Sequence, residues 1–283
     1  MRAFDYVVPS NLQEAIALLA KQGDRARVLS GGTDLIVQVR ERRRDLDLMV
    51  DVKKIPELLQ VRFDPKTGLT LGASVSCARI YRDPQIARIY PGLIDAASLI
   101  GGIQIQNRAS LGGNVCNASP AADSPPALLA YDAELELISK AGTRKIPYAK
   151  FHRGYKQMDL RADELVTAIH LPRAQQTRMH YYRKVGTRKA QAISKVCFAG
   201  VAEIANHTIT RVRIALGSVA PIPIRCEQTE AALDNQPLND ETIKLGVATL
   251  ASEIAPIDDI RSTRDYRLRV SLNLLQDFLR RGQ

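Results

Sequence analysis

The sequence predicts an α+β protein of two domains, and three observations carry that prediction. Its 283 residues are enough for two domains with cores of their own. A polar run, Ala174-Gln175-Gln176-Thr177, divides the chain into a longer first part and a shorter second part. In the second part strands come first and helices follow, the order of an α+β domain whose sheet is covered on one face. The domain limits read this way are 1–175 and 176–283.

Composition narrows the class. Apolar residues make up 45% and charged residues 25% of the chain, ordinary values for a globular protein. No apolar run reaches the ~18–20 residues that span a bilayer, and the N-terminus lacks an apolar leader, so a cytoplasmic protein is expected. Cys77, Cys116, Cys197 and Cys226 have no short spacing, which argues against a disulfide framework or a metal cluster in this chain. His152, His170, His180 and His207 are equally scattered and read as surface or strand residues rather than ligands. The net charge of +10 fits nucleic acid, a phosphate-bearing ligand or an acidic partner. The basic residues, denser at Arg40–Arg44 and Arg261–Arg269, are not interleaved with aromatics, which disfavours nucleic acid and favours an acidic partner subunit.

In order along the chain, Phe4–Pro9 reads as a short strand. Ser10 caps a helix with Gln13 completing a capping box; Leu12, Ala15, Ile16 and Leu19 line its apolar face and Gly23 lies past its end. Arg25–Leu29 is a strand running into Ser30-Gly31-Gly32-Thr33-Asp34, and Leu35, Ile36 and Val39 start a helix. Strand, glycine pair and helix together make a phosphate-holding turn, because glycines permit close approach and free N–H groups face the anion. The same pattern also suits a turn closed by Thr33 or Asp34 as N-cap, with no ligand. It is neither a dinucleotide fingerprint nor a P-loop, whose defining residues are missing.

Leu46–Val52 is a strand and Ile55–Leu59 a short helix; Val61–Phe63 and Leu69–Leu71 form a hairpin; Ser76–Tyr81, Pro84–Tyr90 and Pro91–Ile100 are helices. The stretch from Gln104 to Pro126 is expected to be a long loop. It contains Ile105, Asn107, Ala109, Ser110, the glycines Gly112 and Gly113, Asn114, Ser119 and Asp123. Long loops in compact domains are usually functional, and consecutive N–H groups beside glycines can cradle an anion. A plain surface loop is the alternative. Beyond it, Ala127–Ala130 ends a buried helix, Glu134–Ile138 and the region up to Ile146 are two strands, and Glu164–Pro172 is another. Met179–Val185, Ala192–Ile204 and Ile209–Leu216 are strands, with Asn206-His207 as a turn. Helices follow at Arg225–Leu233, Asp240–Ile254 and Thr263–Arg281, the last with Val270, Leu274, Leu275, Phe278 and Leu279 inward and its arginines outward.

Two glycine stretches about eighty residues apart, the second followed by Ser119-Pro120-Ala121-Ala122-Asp123, resemble the FAD-binding subunit of molybdenum hydroxylases, the xanthine dehydrogenase, carbon monoxide dehydrogenase and 4-hydroxybenzoyl-CoA reductase group. The resemblance covers nearly the whole chain, through Asp163-Glu164-Leu165 and Lys184…Ile193-Ser194-Lys195-Val196. It implies a two-subdomain FAD-binding domain of the vanillyl-alcohol oxidase type, with subdomains of about 1–54 and 55–175, then a smaller α+β domain. The cofactor's pyrophosphate would lie between Val28–Leu35 (Val28, Leu29, Ser30, Gly31, Gly32, Thr33, Asp34, Leu35) and Ser110–Asn114. By the same similarity Ile100 and Leu165 would pack near the flavin, Ser110 would donate to phosphate, Asp123 would accept from a cofactor hydroxyl, and Lys184 would approach the ring's polar edge. The Ser-Gly-Gly-Thr-Asp loop is closer to xanthine dehydrogenase-like and aryl-CoA reductase-like subunits than to the Gly-Gly-His-Ser form of carbon monoxide dehydrogenases. No cysteine-bearing insertion for an extra cluster is visible.

The function so implied is electron transfer. [2Fe–2S] clusters on a small partner subunit would feed FAD here, and electrons would leave to NAD⁺, dioxygen or another acceptor, while a large subunit holds the molybdenum cofactor. A dimer of heterotrimers, without nucleic acid or membrane span, is the expected assembly. Two alternatives stand beside it, a stand-alone FAD oxidoreductase and a basic binding protein for RNA or an acidic partner.

Overall fold

The structure, a computed structural model, describes residues 2–43, 45–173 and 178–283. The expected linker, 174–177, and Arg44 of the basic cluster therefore lie outside the described residues.

The first layer is built from β1 (Asp5–Val7), α1 (Leu12–Gln22), β2 (Ala26–Leu29), α2 (Leu35–Arg40) and β3 (Leu48–Asp51). Its strands are parallel in the order β1-β3-β2. Parallel strands need crossovers, and α1 and α2 supply them. All four residues of β3 are buried, as expected of a central strand covered on both faces. Leu48 and Val50 pack with Ala15 and Leu19 of α1, while Met49 packs with Val39 of α2. Helix α1 starts one residue later than its sequence suggests. Asn11, not Ser10, is the N-cap and accepts from the Glu14 N–H at 2.9 Å. Glu14, not Gln13, reaches back to the Ser10 N–H and hydroxyl at 2.7 and 2.8 Å, because its carboxylate is the stronger acceptor.

The second layer comprises β4 (Val61–Asp64), β5 (Gly68–Gly72), α3 (Cys77–Tyr81), α4 (Pro84–Ile89), α5 (Pro91–Ser98), α6 (Ile103–Gln106), α7 (Leu111–Cys116), α8 (Ser124–Ala130), β6 (Glu134–Ser139), β7 (Gly142–Pro147), β8 (His152–Gly154), β9 (Gln157–Met158) and β10 (Leu165–Pro172). Five strands form an antiparallel sheet, β4-β5-β10-β6-β7, with β10 at its centre. The segment before β10 is fixed by a bidentate bond. Arg144 of β7 holds both Glu164 oxygens at 2.6 and 2.8 Å, and the Arg161 N–H donates to the same carboxylate at 2.8 Å. These bonds hold the buried Glu164 carboxyl below the usual carboxylate range.

The third layer holds β11 (Arg178–Val185), β12 (Val196–Ala205), β13 (Thr208–Gly217), β14 (Ile224–Arg225), α9 (Glu227–Leu233), β15 (Gln236–Pro237), α10 (Asp240–Glu253) and α11 (Arg264–Arg280). Its sheet is antiparallel, β11-β12-β13-β14, and β15 pairs with β13. The turn at Asn206 and His207 has both residues at positive φ, the twist a tight hairpin needs. Strand β12 sorts its residues by parity. Val196, Phe198 and Ala202 join Leu275 and Phe278 of α11 in one core. Cys197, Ala199 and Val201 join the core of the second layer, which includes Ala127 and Leu128 of α8. The sheet is thus covered on both faces, by its own helices on one side and by the preceding layer on the other. Strand β12 begins at Val196 rather than Ala192 because the residues before it turn toward a cleft, where Ser194 is bonded. On α11 the expectation that arginines face outward holds for Arg264, Arg269, Arg280 and Arg281 but fails for Arg267, which is 3% exposed.

Two stability consequences follow from these contacts. Phe278→Ala, at a fully buried ring, lowers unfolding free energy by about 3–5 kcal/mol in a denaturant titration. Glu164→Gln costs about 1–3 kcal/mol at neutral pH, because Arg144 loses its charged acceptor. Glu164 has a depressed folded pKa, so its contribution is complete above the unfolded value of roughly 4.3 and disappears as pH falls through the folded one. Melting temperatures of wild type and Glu164→Gln therefore converge as the pH drops below about 4.

Candidate functional site

The first glycine loop crosses from β2 to α2. Among the described residues the backbone N–H groups of Gly31, Gly32, Thr33 and Asp34 have no hydrogen-bond acceptor. Asp34 occupies the N-cap position of α2 without a capping side-chain bond, so neither it nor Thr33 closes this end. Gly31 lies against the backbone of Arg108 and Ala109, where a Cβ would come within 2.1 Å of the Arg108 carbonyl oxygen. Gly32 has φ +74°, a conformation that side chains resist. Glycine is required at both positions, for close approach at one and for backbone angle at the other.

The second glycine stretch is not the long loop its polarity suggests. It folds as the turn of α6, then α7, a short turn through Asp123, and α8. Ser110 caps α7, its Oγ accepting the Gly113 N–H at 3.2 Å. The N–H groups of Leu111, Gly112 and Asn114 donate to Val75, Ala73 and Ser110 carbonyls at 2.9–3.1 Å. Gly112 faces Ala73 so closely that a Cβ would sit 2.6 Å from the alanine methyl. This glycine pair lets a helix pack tightly, and its N–H groups are spent.

The two stretches meet through hydroxyls. Ser30 Oγ lies 2.8 Å from Ser110 Oγ and 3.1 Å from Ser74 Oγ. Three hydroxyl protons serve two oxygen–oxygen contacts, which leaves one proton to donate elsewhere. All three serines line a cavity of about 370 Å³ with Val28, Gly31, Gly32, Thr33, Asp34, Leu35, Ile100, Ile105, Ala109, Gly112, Gly113, Asn114 and Leu165. A wider cleft of about 1370 Å³ shares Thr33, Asp34, Gln38, Ile105, Asn114 and Asn117 with it and runs on past Ser119 and Asp123 to the third layer. The fold thus gathers most of the expected residues along one continuous groove. Three lie outside it. Leu29 is core beneath the loop, Asn107 ends α6 on the surface, and Lys184 lines neither cavity.

Lys184 is instead committed to Asp123. Its Nζ donates to Asp123 Oδ2 at 2.6 Å and to the Leu99 carbonyl at 2.8 Å. Ser194 Oγ donates to Asp123 Oδ1 at 2.6 Å, and the Tyr182 hydroxyl donates to the Asp123 carbonyl at 2.9 Å. Asp123 sits at the N-cap position of α8 without capping it, since both its oxygens are engaged across the seam. Burial pushes its carboxyl up, against the pull of Lys184 and Ser194. Ser74, Ser218 and Arg267 also face this groove and were not marked by the sequence as site residues, and Ser194 was noted only as part of the resembling stretch. No spacing links them, because they converge from four separate elements.

The remaining chemistry is sparse. Burial raises all four thiols, Cys77 and Cys116 to about 12, so none is a thiolate near neutral pH. His152 is buried with Nε2 3.0 Å from the Val115 carbonyl, and burial lowers its pKa. No cluster of His, Cys, Asp or Glu suited to a metal occurs among the described residues.

Known proteins share this fold and sequence over nearly the full length. Residues 2–174 match the FAD binding domain in molybdopterin dehydrogenase, and residues 180–281 match the CO dehydrogenase flavoprotein C-terminal domain. The xanthine dehydrogenase FAD-binding subunit of Escherichia coli is 33% identical over 264 residues, covering 92% of this chain and 89% of its own. The carbon monoxide dehydrogenase medium chain of Hydrogenophaga pseudoflava is 28% identical over 93% and 91%. The solved carbon monoxide dehydrogenase of that organism superposes with a TM-score of 0.93 at 27% identity, covering 98% of this chain and 96% of the other. With two family domains spanning nearly all of its length, the chain belongs to the FAD-binding medium subunits of the molybdenum hydroxylases.

Proposed function

We propose that this chain holds FAD within a multi-subunit molybdenum hydroxylase and carries electrons from [2Fe–2S] clusters on a small subunit to NAD⁺, dioxygen or another acceptor. The observation that carries the reading is the row of unpartnered N–H groups at Gly31, Gly32, Thr33 and Asp34, opening onto a groove long enough for an extended cofactor. Backbone donors suit a pyrophosphate, and glycine leaves no Cβ in its way.

In this reading Gly31–Asp34 bind the pyrophosphate, helped by the spare proton of the Ser30, Ser74 and Ser110 cluster. Val28, Leu35, Ile100, Ala109 and Leu165 wall the smaller cavity, while Ile105, Asn114, Ser119 and Asp123 orient the part nearer the wide cleft. The bound flavin supplies the ability to take electrons singly and release them in pairs. Lys184 acts through Asp123, fixing its carboxylate, rather than by facing the ring as a free cation. A partner's large subunit would hold the molybdenum cofactor and choose the substrate. The solved relatives include a Cu,Mo-CO dehydrogenase, and the curated relatives include glyceraldehyde and nicotinate dehydrogenases, so the substrate class is not set by this fold. A cytoplasmic dimer of heterotrimers is the assembly we favour.

Two tests bear on this. Gly32→Val strains a positive φ, and Gly113→Val disturbs the Ser110 cap, so each weakens FAD binding at least about tenfold while the chain still melts cooperatively. Unchanged flavin content in both variants would remove the pyrophosphate site. Purification of the chain from its native host, followed by visible spectra and metal analysis, yields flavin, molybdenum, iron and two companion chains. Flavin without partner or metal would establish a stand-alone oxidoreductase, and no flavin even after FAD is added would overturn the reading.

A further inference from the structure

Ser218 has φ +66°, a strained value for a residue other than glycine, and it is buried at the end of β13. Such strain persists only where surrounding bonds over-determine the conformation. Here every polar group of Ser218 is engaged. Its N–H donates to the Pro120 carbonyl at 2.8 Å and its hydroxyl to the Ser194 carbonyl at 3.0 Å. Its own carbonyl accepts from Arg267 Nη1 at 2.7 Å. Arg267 stands in the first turn of α11, almost wholly buried, with Nη2 anchored on Asp259 at 2.6 Å. Ser194 in turn donates to Asp123 Oδ1. An unbroken chain of bonds therefore runs from the last helix to the Ser-Pro-Ala-Ala-Asp turn, touching it at both Pro120 and Asp123. Arg267, Ser218, Ser194 and Asp123 all line the wide cleft.

We infer that Arg267 and Ser218 are positioning residues for the cofactor. Through Ser194 and Pro120 they set where the Asp123 carboxylate points, and so couple the C-terminal domain to FAD binding. The strained serine is the joint, since it bonds α11, the segment before β12 and the Pro120 turn at once. A serine kept in a left-handed conformation by three separate elements serves placement at a groove wall better than it serves stability. The inference rests on the proposed reading of Asp123 as a cofactor-facing residue.

The test is FAD affinity, with the visible flavin spectrum and thermal melting, on the full chain in its assembled complex. Ser218→Ala, Arg267→Lys and Asp123→Asn should each weaken FAD binding about tenfold and shift the flavin band. The Ser218→Ala/Asp123→Asn double variant should bind no worse than Asp123→Asn alone, because residues in one network are not additive. Ser218→Ala keeps the test open if an Arg267 variant fails to fold. Wild-type affinity and spectrum in Ser218→Ala and Arg267→Lys, beside a weakened Asp123→Asn, would overturn the inference while leaving the FAD site standing; so would full additivity. Wild-type behaviour in Asp123→Asn, with Gly32→Val still defective, would overturn both the inference and the Asp123 assignment. A wild-type chain that takes up no FAD would overturn the proposed function itself.

Discussion

The constraint on which the structure turns is the buried charge pair between Asp123 and Lys184. Both side chains are less than a tenth exposed, and removing two charges from water costs several kcal/mol per ion before their attraction is counted. The cost is offset only because each carboxylate oxygen accepts a bond of 2.6 Å and the ammonium has a second acceptor at Leu99. Apolar replacements of buried pairs are often neutral or stabilising, so stability alone does not account for this one. What the pair does accomplish is geometric. It ties the turn before α8 to β11 and the end of α5 through one ammonium. The groove wall is placed by that knot.

Packing around the knot joins the second and third layers through a shared core. The third sheet sends alternate residues of β12 into different cores, so its inner face is as buried as its outer one. A sheet with both faces covered cannot slide without exposing a row of apolar side chains. Helix α8 is buried along its whole length because it is the layer between the two sheets. The wide cleft opens at the edge of this contact, where polar residues from both sides reach each other. A site at a junction between layers can draw on both, and here it takes Asp123 and Ser119 from one and Ser194 and Ser218 from the other.

Much of this was legible in the sequence wherever local patterning decides. The alternation Glu134–Ile138, the apolar face of α1 and the Asn206-His207 turn all specify their structures through nearest neighbours. Tertiary competition decided the rest. The capping box moved by one residue because Glu14 outbids Gln13 as an acceptor. The stretch 104–126 read as a loop since glycine and asparagine disfavour isolated helices. It becomes helical because Ala73 and Val75 accept its N–H groups and Ala73 leaves room only for glycine. Arg267 looked like one more outward arginine, since its acceptors, the Ser218 carbonyl and the Asp259 carboxylate, are set by the tertiary fold. The resemblance placed Lys184 at the flavin's edge, and its charge is taken up by a residue sixty-one positions earlier.

The two glycine pairs give the most instructive contrast. In the sequence they look like equivalent halves of one anion cradle. In the fold their N–H groups have opposite fates, free at Gly31–Asp34 and mostly satisfied at Leu111–Asn114. A donor with no acceptor in the protein is left for a ligand, whereas a satisfied donor offers a ligand nothing. An anion bound in the proposed site would therefore draw chiefly on the first loop, with the second contributing shape and its hydroxyl. That division follows from what each pair packs against. Gly31 meets backbone that blocks any side chain and accepts nothing from it, while Gly112 meets a carbonyl that accepts its N–H. Identical dipeptides acquire different chemistry from the neighbour each is pressed upon, and the neighbour is supplied by the fold.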